Sequence, residues 1–222
     1  MADQANGKDG SIAASARTVA GVCAIVGWAA LALQLVLIVE NLGFDPGVWR
    51  YFGFFTILTN IGVALVATAI ALRSHSVLAG PRARYLAATS IVLVGLVYSI
   101  ALRSEWNPTG WQKLADFALH DAMPLLFIMV WILAPNGALG RRDLAWALAP
   151  PLVYAVYAMA RGAVDGWYAY WFLSPLIQSP LALVWNIVGM LTGFLLMGGL
   201  LLWADGWLGR REAEDAEEAA GA

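Results

Sequence analysis

Six apolar runs divide this 222-residue chain, and their length commits it to the lipid bilayer as solvent. They cover Thr18 to Val39, Tyr51 to Leu72, Tyr85 to Leu102, Leu114 to Leu133, Leu144 to Ala160 and Pro180 to Trp203. At about 1.5 Å of rise per residue each crosses, or with its flanks nearly crosses, a hydrocarbon core roughly 30 Å thick. The runs are continuous rather than alternating, which excludes a membrane β-barrel. A composition of 61% hydrophobic and 13% charged residues agrees with this reading. The expected fold class is therefore all-α: a polytopic integral membrane protein with six transmembrane helices in one bundle, over residues 17–208. Residues 1–16 are expected to be a disordered tail. Residues 209–222, which include EAEDAEE from Glu212, read as a second, acidic tail without order. The single cysteine, Cys23, lies inside the first run, so no intrachain disulfide is possible.

Basic residues set the expected orientation. With six spans, nine of them (Lys8, Arg17, Arg73, Arg82, Arg84, Arg141, Arg142, Arg210 and Arg211) fall on the side holding both termini. Four (Arg50, Arg103, Lys113 and Arg161) fall on the other. Both termini are thus expected in the cytoplasm. A formal charge of −2 and the lack of a basic cluster exclude nucleic acid as a partner. Membrane lipids or lipid esters are the expected partners instead.

The fourth run, LADFALHDAMPLLFIMVWIL, carries the residue that most needs a reason. A titratable group in lipid is costly and usually marks a reaction site or a pathway, so His120 is the first candidate. Asp116, His120 and Pro124 share one helical face at i, i+4 and i+8. Pro124 has no N–H, so the carbonyl of His120 is expected to be free for water or substrate, with a kink there. In the proposed topology Thr56, on the second span, lies at the depth of His120. Thr56, Thr59 and Asn60 form a polar stripe on that span. Tyr154, Tyr157 and Arg161 form another on the fifth, and Asn186 adds an amide to the outer half of the sixth. The inner halves look nearly featureless, so a cavity opening outward is expected. Gln34 on the first span is expected to bond a neighbouring helix.

Trp167, Tyr168, Tyr170 and Phe172 crowd the segment between the fifth and sixth spans. They read as an interfacial aromatic belt that also caps a lipid-sized pocket. Trp106, Trp111, Trp203 and Trp207 read as interface anchors. A haem held by two histidines is excluded, because His75, the only other histidine, falls in a loop at the opposite end. No cofactor or metal is expected, although a site built on Asp116, His120 and Asp121 stays as a residual alternative. No P-loop, G-x-S-x-G or H-E-x-x-H motif is present.

Four segments, WRYFGFFTILTN, ALHDAMPLLF, APPLVYAVYAMARG and GWYAYWFL followed by Asn186, resemble bacterial six-helix membrane proteins of the Pr6Pr type. These are related to the eukaryotic androgen-induced and androgen-dependent membrane proteins, and the likeness runs from Trp49 to Trp207. The resemblance implies intramembrane threonine hydrolysis of fatty acid esters of hydroxy fatty acids. By motif position it implies Thr56 as nucleophile and His120 as its base, with Thr59 as the rival. The expected function is a lipid-ester hydrolase. The alternative is a transporter or non-catalytic lipid-binding protein in which Asp116, His120 and Arg161 relay protons or hold a headgroup.

Overall fold

The computed structural model of the protein describes residues 12–221, and among them every regular element is helical. Helix α1 (Ala14–Leu42) is followed by α2 (Phe44–Tyr51), α3 (Phe55–Ala71) and α4 (Pro81–Val97), which a π turn (Tyr98–Leu102) extends. Helices α5 (Gly110–Phe117) and α6 (Met123–Leu133) are joined through a second π turn (Ala118–Ala122) into one rod. A 3₁₀ stretch (Arg141–Leu148) leads into α7 (Ala149–Asp165), and α8 (Pro180–Gly221) closes the chain. Five rods are long and apolar enough to span a bilayer; α2 and α3, bent by 74° at their junction, make a sixth if counted as one. Large apolar side chains such as Ile25, Leu125, Val156, Leu181 and Leu196 face outward, as expected where lipid replaces water.

Small residues allow the helices to approach. The buried face of α1 is Ala16, Ala20, Cys23, Ala24, Gly27, Ala30 and Leu31 at helical spacing, the usual seam between membrane helices. It lies against α3 and α6. Behind it Ile70, Tyr85, Ile91, Met123 and Phe127 fill the core. On α8 only Phe194, Gly198, Leu201 and Asp205 are buried, a single stripe. A Cβ at Gly198 would stand 2.5 Å from the Tyr85 hydroxyl.

The two ends of the chain and the far end of the bundle differ from the sequence reading. Ala14 to Ala16 form the first turn of α1, preceded by Ile12 and Ala13, and residues 1–11 of the expected N-terminal tail lie outside the described residues. The acidic end is not a separate tail, because α8 continues through it to Gly221. Its Glu and Ala residues have high helix propensity and need no core to extend an existing helix. The end of the bundle opposite Thr56 is not featureless either. Arg84, Asp143 and Asp205 are buried there, and Asp205 accepts from the Leu139 N–H at 3.2 Å.

The second apolar run is broken where a continuous helix was expected. Helix α2 ends at Tyr51, Phe54 is extended, and α3 starts afresh at Phe55. Such a break frees carbonyls that lipid cannot satisfy. The stripe on α7 takes them up: Tyr154 donates to Gly53 O at 2.9 Å, Tyr157 to Phe52 O at 3.0 Å, and Arg161 to Trp49 O. Arg161 also lies 3.9 Å over the Trp49 ring and donates to the Tyr157 hydroxyl at 2.7 Å. Trp167 covers Gly53 so closely that a Cβ there would lie 2.6 Å from its ring. Removing the central donor strands Trp49 O and the cation–π contact, at a cost of about 1–3 kcal/mol per unsatisfied buried group. Arg161→Ala is therefore expected to lower Tm in detergent by about 5 °C or more, with Arg161→Lys intermediate. Thermal unfolding of the purified chain measures this.

Candidate functional site

The helix break sets where Thr56 stands. It is the second residue of α3, so its N–H has no partner within the helix. That N–H donates instead to the Tyr170 hydroxyl at 3.3 Å. A threonine inside a continuous helix commonly bonds the carbonyl four residues back. Here that carbonyl, Phe52 O, is taken by Tyr157. The Thr56 hydroxyl is left facing the cavity, with Oγ1 3.4 Å from His120 Nε2 and 3.4 Å from the Tyr170 hydroxyl.

His120 sits in the π turn between α5 and α6. There the Met123 N–H reaches back five residues to Ala118 O, and Pro124 has no N–H to offer. Leu119 O, left without a backbone donor, accepts from Asn60 Nδ2 at 3.3 Å. The same amide group donates to Thr56 O at 2.8 Å, so Asn60 ties α3 to the π turn. The His120 carbonyl is not open to substrate, as the sequence reading had it. It is packed against α4, where a Cβ on Gly95 would stand 3.0 Å from it and 3.0 Å from Pro124 Cγ. A π turn absorbs the proline in place of a free kink.

The ring of His120 is fixed on both edges and one face. Nδ1 lies 3.0 Å from Asp116 O and 3.2 Å from Asp116 Oδ1. Both are acceptors, so Nδ1 carries the proton and Nε2 presents its lone pair to Thr56. Tyr98, from the other π turn, stacks on the imidazole at 3.9 Å between centroids and donates its hydroxyl to Asp116 Oδ2. Asp121 points away and pairs with Arg103 at 2.5 Å. Burial pushes the Tyr170 phenol up, so it stays a hydrogen-bond donor.

These groups line a cavity of about 330 Å³. Its walls are mostly apolar (Ile38, Phe54, Ile57, Leu102), and its mouth carries Glu105, Trp106, Gln112 and Gln34. Gln112 donates to Gln34 at 2.8 Å, the helix–helix bond expected for Gln34.

Of the sequence candidates, Thr56, His120 and Asp116 meet here, and Asn60 braces them. Thr59 does not join them; it faces a separate apolar groove with Ser90 and Tyr157. Tyr154, Tyr157 and Arg161 hold the break between α2 and α3 and do not line this cavity. Asn186 ties α8 to the preceding loop through Phe172 O at 2.9 Å. Of the four aromatic caps only Tyr170 reaches the cavity. Trp167 covers the break, Tyr168 packs on Gly162, and Phe172 stacks behind Tyr170 at 5.3 Å. Trp106, expected as a plain anchor, lines the mouth.

Tyr98, Gln112 and Gly95 were missed. Tyr98 was within reach of the depth argument, since by helix rise it lies near the same end of its span as His120 does. The close approach at Gly95 leaves no trace in a single sequence. No family model, curated protein or solved structure matches this chain.

The contact at Gly95 gives a direct test of the site's framework. Gly95→Val must push α4 off the π turn, costing about 1–3 kcal/mol and separating Tyr98 from His120. Gly95→Ala is expected to fall between it and wild type in thermal unfolding.

Proposed function

We propose that this chain is an intramembrane hydrolase of lipid carboxylic esters, with Thr56 as nucleophile and His120 as general base. One observation carries the reading: Thr56 Oγ1 lies 3.4 Å from His120 Nε2 in a mostly apolar cavity of about 330 Å³. A hydroxyl needs such a base to attack at neutral pH, and apo pairs of this kind tighten when substrate binds. Oγ attacks the ester carbonyl carbon while its proton passes to Nε2. Asp116, held by Tyr98, stabilises the imidazolium that forms. The tetrahedral oxyanion lies within reach of the Tyr170 hydroxyl and the N-terminus of α3, both suited to developing negative charge. Collapse breaks the ester C–O bond, and the leaving alcohol takes the proton from Nε2. Water then attacks the acyl-threonine with His120 again as base, releasing the acid and restoring the hydroxyl.

In this reading α2 and α3 count as one bent span, giving six. The nine-to-four distribution of basic residues supports a reading with both termini in the cytoplasm and the cavity in the outer leaflet. Membrane lipid esters are the substrates and no cofactor takes part. The resemblance to Pr6Pr-type proteins and their threonine-hydrolase relatives supports the same chemistry.

Transport by a relay through Asp116, His120 and Arg161 has less support. Arg161 is spent on Trp49 O and Tyr157, outside the His120 cavity. At the far end Asp143 is occupied by Arg82 at 2.6 Å and by the Gly140 N–H at 2.8 Å.

Turnover of a panel of long-chain fatty esters tests the reading. His120→Ala and Thr56→Ala are expected to lower kcat/KM by about 10²–10⁴, whereas Thr59→Ala stays near wild type. No turnover of any ester by folded wild-type protein would reject it. For orientation, reporter fusions at Gly110 and Gly137 are expected to read outside and inside respectively; the reverse would overturn the outer-leaflet placement.

A further inference from the structure

A second cavity, of about 750 Å³, lies at the end of the bundle opposite Thr56. It forms where the N-terminus of α1, the C-terminus of α3 and the N-terminus of α4 come together. Four basic side chains from these segments line it: Arg17, Arg73, His75 and Arg84. Arg84 is only 7% exposed, a costly position for a guanidinium. It has five N–H donors, and among the described residues its hydrogen bonding is a single contact, to Pro135 O at 2.7 Å. The acids facing Arg84, Asp205 and Glu212, come from the α8 side and do not line the cavity. Arg73 has φ of 55°, a left-handed backbone that an L side chain adopts at a cost. Among the described residues, neither Arg17 nor Arg73 pairs with a carboxylate. The rest of the wall is largely apolar, with Ile70 and Ala79 beside the arginines.

We propose that this cavity binds the phosphate of an anionic membrane lipid, held by Arg17, Arg73 and Arg84. The glycerol and first acyl carbons would lie against Ile70 and Ala79. Clustered arginines recognise phosphate oxygens through charge and paired N–H donors. Basic pockets between membrane helices on one face take up anionic headgroups in this way. The apolar wall and the position at the helix ends favour a lipid over a soluble phosphate. The site stands apart from the Thr56 cavity, and its test is independent of any hydrolysis.

The experiment is native mass spectrometry of the full chain in detergent with phosphatidylglycerol and phosphatidylcholine of matched acyl chains. Wild type is expected to prefer phosphatidylglycerol, and each of Arg17→Gln and Arg73→Gln to weaken that binding about fivefold. Both positions are accessible enough for the variants to fold. Arg142→Gln, exposed and outside the cavity, is expected to bind as wild type does. Equal retention of the two lipids, or equal losses in the Arg73 and Arg142 variants, would overturn the proposal. Displacement of the lipid by millimolar glycerol phosphate would assign the cavity to a soluble phosphate and overturn the lipid assignment.

Discussion

A backbone carbonyl or N–H without a partner is far more costly in lipid than in water, and around the Thr56 cavity three places depart from regular α-helix. The departures are the break between α2 and α3 and the two π turns. All three lie toward one end of the bundle, and side chains repair two of them, the break and the second π turn. Tyr154, Tyr157 and Arg161 take the carbonyls of the break, while Asn60 takes the one left over by the π turn ahead of Pro124. The polar residues that stand out in these spans are therefore mostly spent on backbone. Only a few remain for chemistry.

That repair is also what brings the cavity into being. Because α3 starts at Phe55, Thr56 sits at a helix N-terminus with its hydroxyl released from its own backbone. Because the α5–α6 rod bulges at Ala118–Ala122, His120 meets Tyr98 face to face and keeps Nδ1 on Asp116. The tautomer follows from those two acceptors. The groups over-determine one another: Tyr98 holds Asp116, Asp116 holds His120, and His120 faces Thr56. A site braced in this way loses little to reorganisation during reaction.

The sequence carried the helical class, the membrane habit, His120 and Asp116, because each rests on a local rule: run length, the cost of a buried titratable group, helical spacing; Thr56 came from the depth argument and the resemblance. Asn60 and Gln34 also met helix partners, as membrane amides do. Other features depend on what crosses from one helix to another. The α7 stripe looked like part of a cavity, since spacing alone does not say whether a polar face meets ligand or a neighbour's broken backbone. The aromatic segment held one residue that reaches the cavity, Tyr170, and three that pack elsewhere. The break escaped notice because Phe52, Gly53 and Phe54 are apolar and interrupt no hydropathy run. The acidic end reads as a tail because composition says nothing of a helix continuing from a spanning segment.

Mapping the covalent adduct tests the central claim most directly. A long-chain fluorophosphonate, which traps activated hydroxyls, would be reacted with folded protein and the modified residue located by peptide mass spectrometry. The expected result is one adduct, on Thr56, absent from His120→Ala and retained in Thr59→Ala. An adduct on Thr59 or Tyr170, or undiminished labelling of His120→Ala, would contradict the pairing of Thr56 with His120 as nucleophile and base.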